Sequence, residues 1–156
     1  MRIKMDKEVN MPLLNDTIQG QVRKTLEAMT GPVKLVVFTQ SADALECEMC
    51  AETRALIEEV AALAPAGKLT VEVKDFLADR AATEAYQVDK IPALAIVGAQ
   101  DYGIRFYGIP AGYEFSSLMD DIVTVSKGES GLSSATKAAV ARVNRPIHIQ
   151  VYVTPT

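Results

Sequence analysis

The sequence predicts an α/β fold, a four-stranded mixed sheet flanked by helices. Three observations lead there. Helix-type and strand-type apolar patterns alternate along the chain, with a β-α-β unit first and a β-β-α unit last. A right-handed crossover makes the first two strands parallel, and a closing hairpin adds antiparallel ones. A Cys-x-x-Cys stands at the first strand-to-helix junction, and a proline opens the third strand.

Residues 13–29 carry Leu14, Ile18, Val22, Leu26 and Met29 at the spacing of one helical face. Thr30-Gly31-Pro32 ends that helix, because proline cannot continue its hydrogen-bond ladder. Residues 33–39 are a nearly continuous β-branched run, suited to a central strand covered on both faces. After a polar connection, residues 40–46, the cysteine motif opens a second helix with Leu56, Ile57, Val60, Ala61 and Leu63 on its apolar side. Residues 69–75 alternate, with Leu69, Val71 and Val73 on one face and Thr70, Glu72 and Lys74 on the other. That alternation predicts an edge strand or one with a wet face. A short helix is expected over 79–87.

Ile91-Pro92 introduces a strand over 93–97, and a turn over 98–103 leads to a short strand over 104–107. The last helix of the unit spans 113–126 through Phe115, Leu118, Met119, Ile122 and Val123. Beyond Gly128 the pattern begins again. Residues 133–143 read as a helix capped by Ser133, Asn144-Arg145-Pro146 breaks it, and 147–153 read as a strand. The stretches from Pro32 to Thr39 and from Pro146 to Thr154 match in outline, an internal repeat of period about 114 residues.

The chain has 156 residues, 49% hydrophobic and 23% charged, enough for one well-buried domain. A net charge of −4 and scattered basic residues give no reason to expect nucleic acid as a partner. The first twelve residues hold no apolar region of export-signal length, and no stretch approaches a membrane span. The expectation is a soluble, cytoplasmic protein.

Both cysteines of the chain lie in Cys47-Glu48-Met49-Cys50. A bridge between such close residues gains little from loop closure, so the spacing points to catalysis or metal binding. Disulfide exchange needs an attacking thiolate and a second thiol that resolves the mixed disulfide. At a helix N-terminus the positive dipole end favours the thiolate of Cys47, with Cys50 one turn along as the resolving thiol. Glu46 and Glu48 oppose this, and solvent screening limits their effect, so moderate activation is expected. A zinc site needs about four ligands, so here two chains would have to share their thiols. An inert Cys-x-x-Cys, iron–sulfur ligation between two chains and glutathione binding are further alternatives. The single histidine, His148, lies far from the motif and reads as a half-exposed strand residue rather than a partner for a cysteine nucleophile.

Pro92 is the second anchor. An X-Pro bond adopts cis at modest cost. A cis proline opposite the thiols would let Ile91 pair its backbone with an extended substrate segment.

Cys47-Glu48-Met49-Cys50 after an apolar strand, Val88-Asp89-Lys90-Ile91-Pro92, and Phe106-Tyr107-Gly108 together resemble the thioredoxin/glutaredoxin superfamily. The stretch from Tyr102 to Val125, with Leu132, Thr136-Lys137 and residues 151–156, is similar to the glutaredoxin-like protein disulfide oxidoreductases of thermophilic archaea and bacteria. The resemblance implies two thioredoxin-like units in tandem, each with a Cys-x-x-Cys. Residues 1–128 would be the N-terminal unit. Residues 129–156 would be the linking helix and first strand of a second unit, shortened before its own motif.

It further implies a thiol–disulfide oxidoreductase acting on disulfide- or dithiol-containing proteins, with a thioredoxin-reductase-like electron donor and no cofactor or metal. Cys47 and Cys50 would be catalytic. Glu48, Met49, Ile91, Pro92 and Gly108 form the expected substrate-binding set. The alternative is a thioredoxin-fold interaction or scaffold unit that has lost its chemistry, as one unit can in two-unit domains of flavoprotein peroxide-reducing systems. Without a second unit, the strand over 147–153 has three expected fates: exposure, docking on a sheet edge, or pairing with a second chain as a homodimer.

Overall fold

Val33, Leu35, Val36, Val37, Phe38 and Thr39 are all buried, as a strand covered on both faces requires; they form β1 (Val33–Thr39), which runs through the middle of the sheet. The computed structural model describes residues 12–40 and 47–153. Of the expected connection over 40–46, residues 41–46, with Glu46, lie outside them. In chain order the elements are α1 (Asp16–Leu26), β1, α2 (Cys50–Leu63), β2 (Leu69–Asp75), α3 (Arg80–Ala85), β3 (Ala93–Val97), β4 (Asp101–Tyr107), α4 (Tyr113–Lys127) and α5 (Ser134–Val140). The sheet order is β2-β1-β3-β4. β1 and β2 are parallel, from Val33 opposite Leu69 to Thr39 opposite Asp75, and α2 makes the crossover that parallel neighbours need. β3 runs antiparallel to β1, with Ala93 opposite Phe38, and β4 antiparallel to β3, with Tyr107 opposite Ala93.

Period-two alternation sorts the sheet into two layers. Leu35, Val37, Leu94 and Ile96 pack in one core with Val22 and Leu26 of α1, Ile57 and Val60 of α2, and Leu118 and Ile122 of α4. Val36, Phe38, Ala93 and Ala95 pack on the opposite face with Val88, Ala82 and Tyr86. α1 is shorter than its apolar spacing suggests because Asn15, in extended backbone, caps it by accepting from the Ile18 amide. The Glu59 carboxylate of α2 then accepts from the Leu13 and Leu14 amides at 2.8 and 3.2 Å, fixing the start of α1 against α2.

The C-terminal turn of α4 is clasped at the end of the sheet where β1 begins and β3 ends. The Ser126 carbonyl accepts from the Gly31 amide at 3.0 Å and from the Thr30 hydroxyl at 2.9 Å. Gly98 closes the other side, where an added Cβ would come within 2.8 Å of the Val125 carbonyl oxygen.

Two further expectations change. β4 begins at Asp101, not Ile104, because the expected turn over 98–103 is partly strand. Val97 pairs with Asp101 past a register shift between Ala95 and Val97, and Gly103 takes a φ of +81°. The Asp101 carboxylate holds this segment by accepting from the Gly103 amide and from the Arg105 guanidinium. The second change is at the far end. The helix expected over 133–143 is the shorter α5, capped by Ser133, and 147–153 form no strand. Ile149, Val151 and Val153 are 79, 79 and 82% exposed, and His148 is exposed outside any strand. β-propensity makes no strand without a ladder to join, and no described strand pairs with this segment.

β2 is an edge strand, as its alternation predicts. On its wet face Glu72 bridges Lys34 at 2.7 Å and Lys74 at 2.8 Å, and hydrogen bonds from Lys34 and Lys74 lower its carboxyl to about 2. Arg105 is the more buried tie. Besides Asp101 it donates to the Tyr86 carbonyl at 3.0 Å and lies over the Tyr86 ring at 5.3 Å, pinning β4 to the segment after α3. Its hydrogen bond holds Asp101 below the ordinary carboxylate range, against the opposing effect of burial.

Arg105→Ala is expected to cost about 2 kcal/mol of stability, read from urea unfolding at pH 7. Both carboxyls are depressed in the folded state, so their contribution is complete above the unfolded value of about 4 and is lost as pH falls through the folded values. Replacing Asp101 with Asn should flatten the acid limb of the stability curve below about pH 4.

Candidate active site

β1 delivers the chain at Thr39 to the segment that carries the cysteines. Cys47, Glu48 and Met49 form a turn, and α2 starts at Cys50, whose amide donates to the Cys47 carbonyl at 3.4 Å. Met49 occupies the N-cap position and offers no side-chain cap. The positive end of the helix dipole is therefore met by no side-chain cap and faces the adjacent sulfur. Cys47 and Cys50 are joined by a disulfide, S–S 1.99 Å and Cα–Cα 5.5 Å. The two sulfurs are not equivalent to solvent: Cys50 is 4% exposed, Cys47 is half-buried, and Glu48 and Met49 are exposed.

The other expected site residues converge at the same end of the sheet. The pairing of Ala93 with Phe38 sets Pro92 level with Thr39, the end from which the chain runs to the cysteines. The Ile91–Pro92 bond is cis. The Gly108 amide donates to the Pro92 carbonyl at 2.9 Å, so these two residues are directly linked. Ile91 is half-buried and Pro92 buried. Lys90 and Tyr107, read from sequence only as members of their motifs and not as site residues, come together: the Lys90 ammonium sits 4.9 Å from the centre of the Tyr107 ring. Each immediately precedes a predicted site residue, Ile91 and Gly108, which was the available signal.

A second feature also escaped the sequence. Among the described residues, two buried side-chain oxygens lack a hydrogen-bond partner, Gln40 Oε1 and Thr53 Oγ1. Both belong to segments flanking the motif. Leaving such a group unpaired costs on the order of 1–3 kcal/mol.

The fold built on this strand order is shared with solved structures. A protein disulfide oxidoreductase from Aeropyrum pernix k1 superposes with a TM-score of 0.71 at 30% identity, over 82% of this chain and 54% of that one. The fold is thioredoxin-like. This thioredoxin-like fold also superposes on the NTD_N/C domain of the alkylhydroperoxide reductase AhpF from Enterococcus faecalis, with a TM-score of 0.71 at 24% identity, over 81% of this chain and 59% of that one. In sequence it is 26% identical to the F component of the alkyl hydroperoxide reductase of Staphylococcus epidermidis over 144 residues, 92% of this chain and 25% of that protein. It thus spans about half the length of the Aeropyrum structure and a quarter of the Staphylococcus protein. No protein-family model matches it. None of its described helices is long and apolar enough to cross a membrane.

The difference in exposure sets an expectation for the reduced protein. Cys47 should react with iodoacetamide at least about tenfold faster than Cys50 near neutral pH, measured by time-resolved alkylation and peptide mass spectrometry. Equal rates would mean that burial does not order the two thiols.

Proposed function

We propose that this chain exchanges disulfides with protein substrates through Cys47 and Cys50. The observation that carries the reading is the disulfide between a half-buried Cys47 and a buried Cys50 at the uncapped start of α2. In the reducing direction the Cys47 thiolate attacks one sulfur of a substrate disulfide. A mixed disulfide forms and the other substrate sulfur leaves as a thiolate. Cys50 then attacks Cys47, the remaining substrate thiolate leaves, and the Cys47–Cys50 bond is restored. The reverse sequence oxidises a substrate dithiol. Ile91 supplies the backbone for an extended substrate segment, with Pro92 and Gly108 behind it and Glu48 and Met49 bordering the sulfurs. A thioredoxin-reductase-like donor would return electrons to the pair, and a cytoplasmic setting suits a disulfide that cycles.

Residues 129–156 are read as the linking helix and opening segment of a second thioredoxin-like unit, after 1–128 as the first. Support comes from the exposed apolar alternation of Ile147, Ile149, Val151 and Val153. The same segment is expected to draw two copies together when nothing else covers it.

Insulin reduction in the presence of dithiothreitol tests the chemistry. The chain should accelerate precipitation of the insulin B chain, and Cys47→Ser should fall to the dithiothreitol background. Equal turnover by both forms would leave the scaffold reading in its place. Light scattering during size-exclusion chromatography tests association: a dimer should revert to monomer in the double variant Ile149→Lys, Val151→Lys, while a wild-type monomer at high concentration removes the homodimer.

A further inference from the structure

Thr53 is fully buried, and its hydroxyl has no partner. A threonine inside a helix ordinarily returns its hydroxyl to a carbonyl of the preceding turn. Here the Met49 carbonyl, four residues back, accepts from the Thr53 amide at 2.9 Å, yet the hydroxyl makes no bond. Side chains on a helix lean toward its N-terminus, so that of Thr53 lies over the turn that begins with Cys50. Cys50 and Thr53, three residues apart, are neighbours on the inward face of α2, 4% and 0% exposed. In the disulfide, Cys50 Sγ is tied to Cys47 and is a poor acceptor. Once freed it can turn about χ1, and a thiol or thiolate sulfur accepts better.

We propose that Thr53 is a positioning residue, whose hydroxyl donates a hydrogen bond to the Cys50 sulfur only after the Cys47–Cys50 bond is broken. The inference rests on the dithiol–disulfide cycle proposed above. In that cycle a dithiol reductant passes two electrons and two protons to the pair. The Cys47–Cys50 bond breaks, one S–S bond forms in the reductant, and Cys47 and Cys50 become thiols. The Thr53 hydroxyl is unpaired in the first state and paired in the second. It therefore favours the dithiol and holds Cys50 as the resolving group.

Wild type, Thr53→Val and Thr53→Ser are equilibrated over a series of reduced-to-oxidised dithiothreitol ratios, and the two forms are counted by alkylation and mass spectrometry. The Val variant, isosteric but without the hydroxyl, should shift the equilibrium toward the disulfide by about tenfold, equivalent to about 30 mV more negative. The Ser variant should stay near wild type. Urea unfolding of both redox forms supplies a second reading. Thr53→Val should be at least as stable as wild type when oxidised and less stable when reduced, whereas a simple packing fault lowers both. An unchanged equilibrium in Thr53→Val, or an equal shift in Thr53→Ser, overturns the role of the hydroxyl. A wild-type pair that cannot be titrated between its two forms overturns the cycle itself.

Discussion

Everything else in the molecule is arranged around the double burial of β1. A strand apolar on both faces must be covered on both, and Leu35 and Val37 face one helical layer while Val36 and Phe38 face the other. Its parallel partner β2 can be reached only through a crossover, which sets α2 across the sheet. The antiparallel partner β3 must start where β1 ends, which brings Pro92 to the level of Thr39. The positions of the cysteine turn and the proline loop thus follow from covering one strand.

That dependence explains how much was legible in advance. Val33–Thr39, Leu69–Asp75 and Ala93–Val97 stand where their hydrophobic patterns put them, because burial selects those patterns. The cysteine pair and the Ile91-Pro92 loop were readable from residue type and order, since few other residues do that chemistry. The start of β4 was not. Asp101 and Gly103 carry turn propensity, and only their pairing across β3 and the grip of Arg105 make them strand. Residues 147–153 show the reverse case, where strand-forming sequence lacks a ladder and stays exposed. Thr53 was unreadable for a third reason: its helix is predictable, but an unpaired hydroxyl is a property of the packed interior.

The site itself is asymmetric by construction. Cys47 faces solvent in part while Cys50 is held by the helix against the core, so one sulfur is accessible to a large partner and the other is shielded from it. In the exchange proposed above, this shielding would keep the second sulfur for the intramolecular step. It also places that sulfur among buried groups, where a single hydroxyl weighs more than it would in water.

The clasp on α4 has a consequence for how such a protein can change. Thr30, Gly31 and Gly98 grip Val125 and Ser126 at the pole of the sheet opposite the cysteines. Closure of the scaffold and redox chemistry therefore occupy separate territories. Glu48 and Met49, exposed between the two cysteines, can therefore change identity without touching this clasp, whereas the buried Cys50, Thr53 and Pro92 cannot change without disturbing the packing around them.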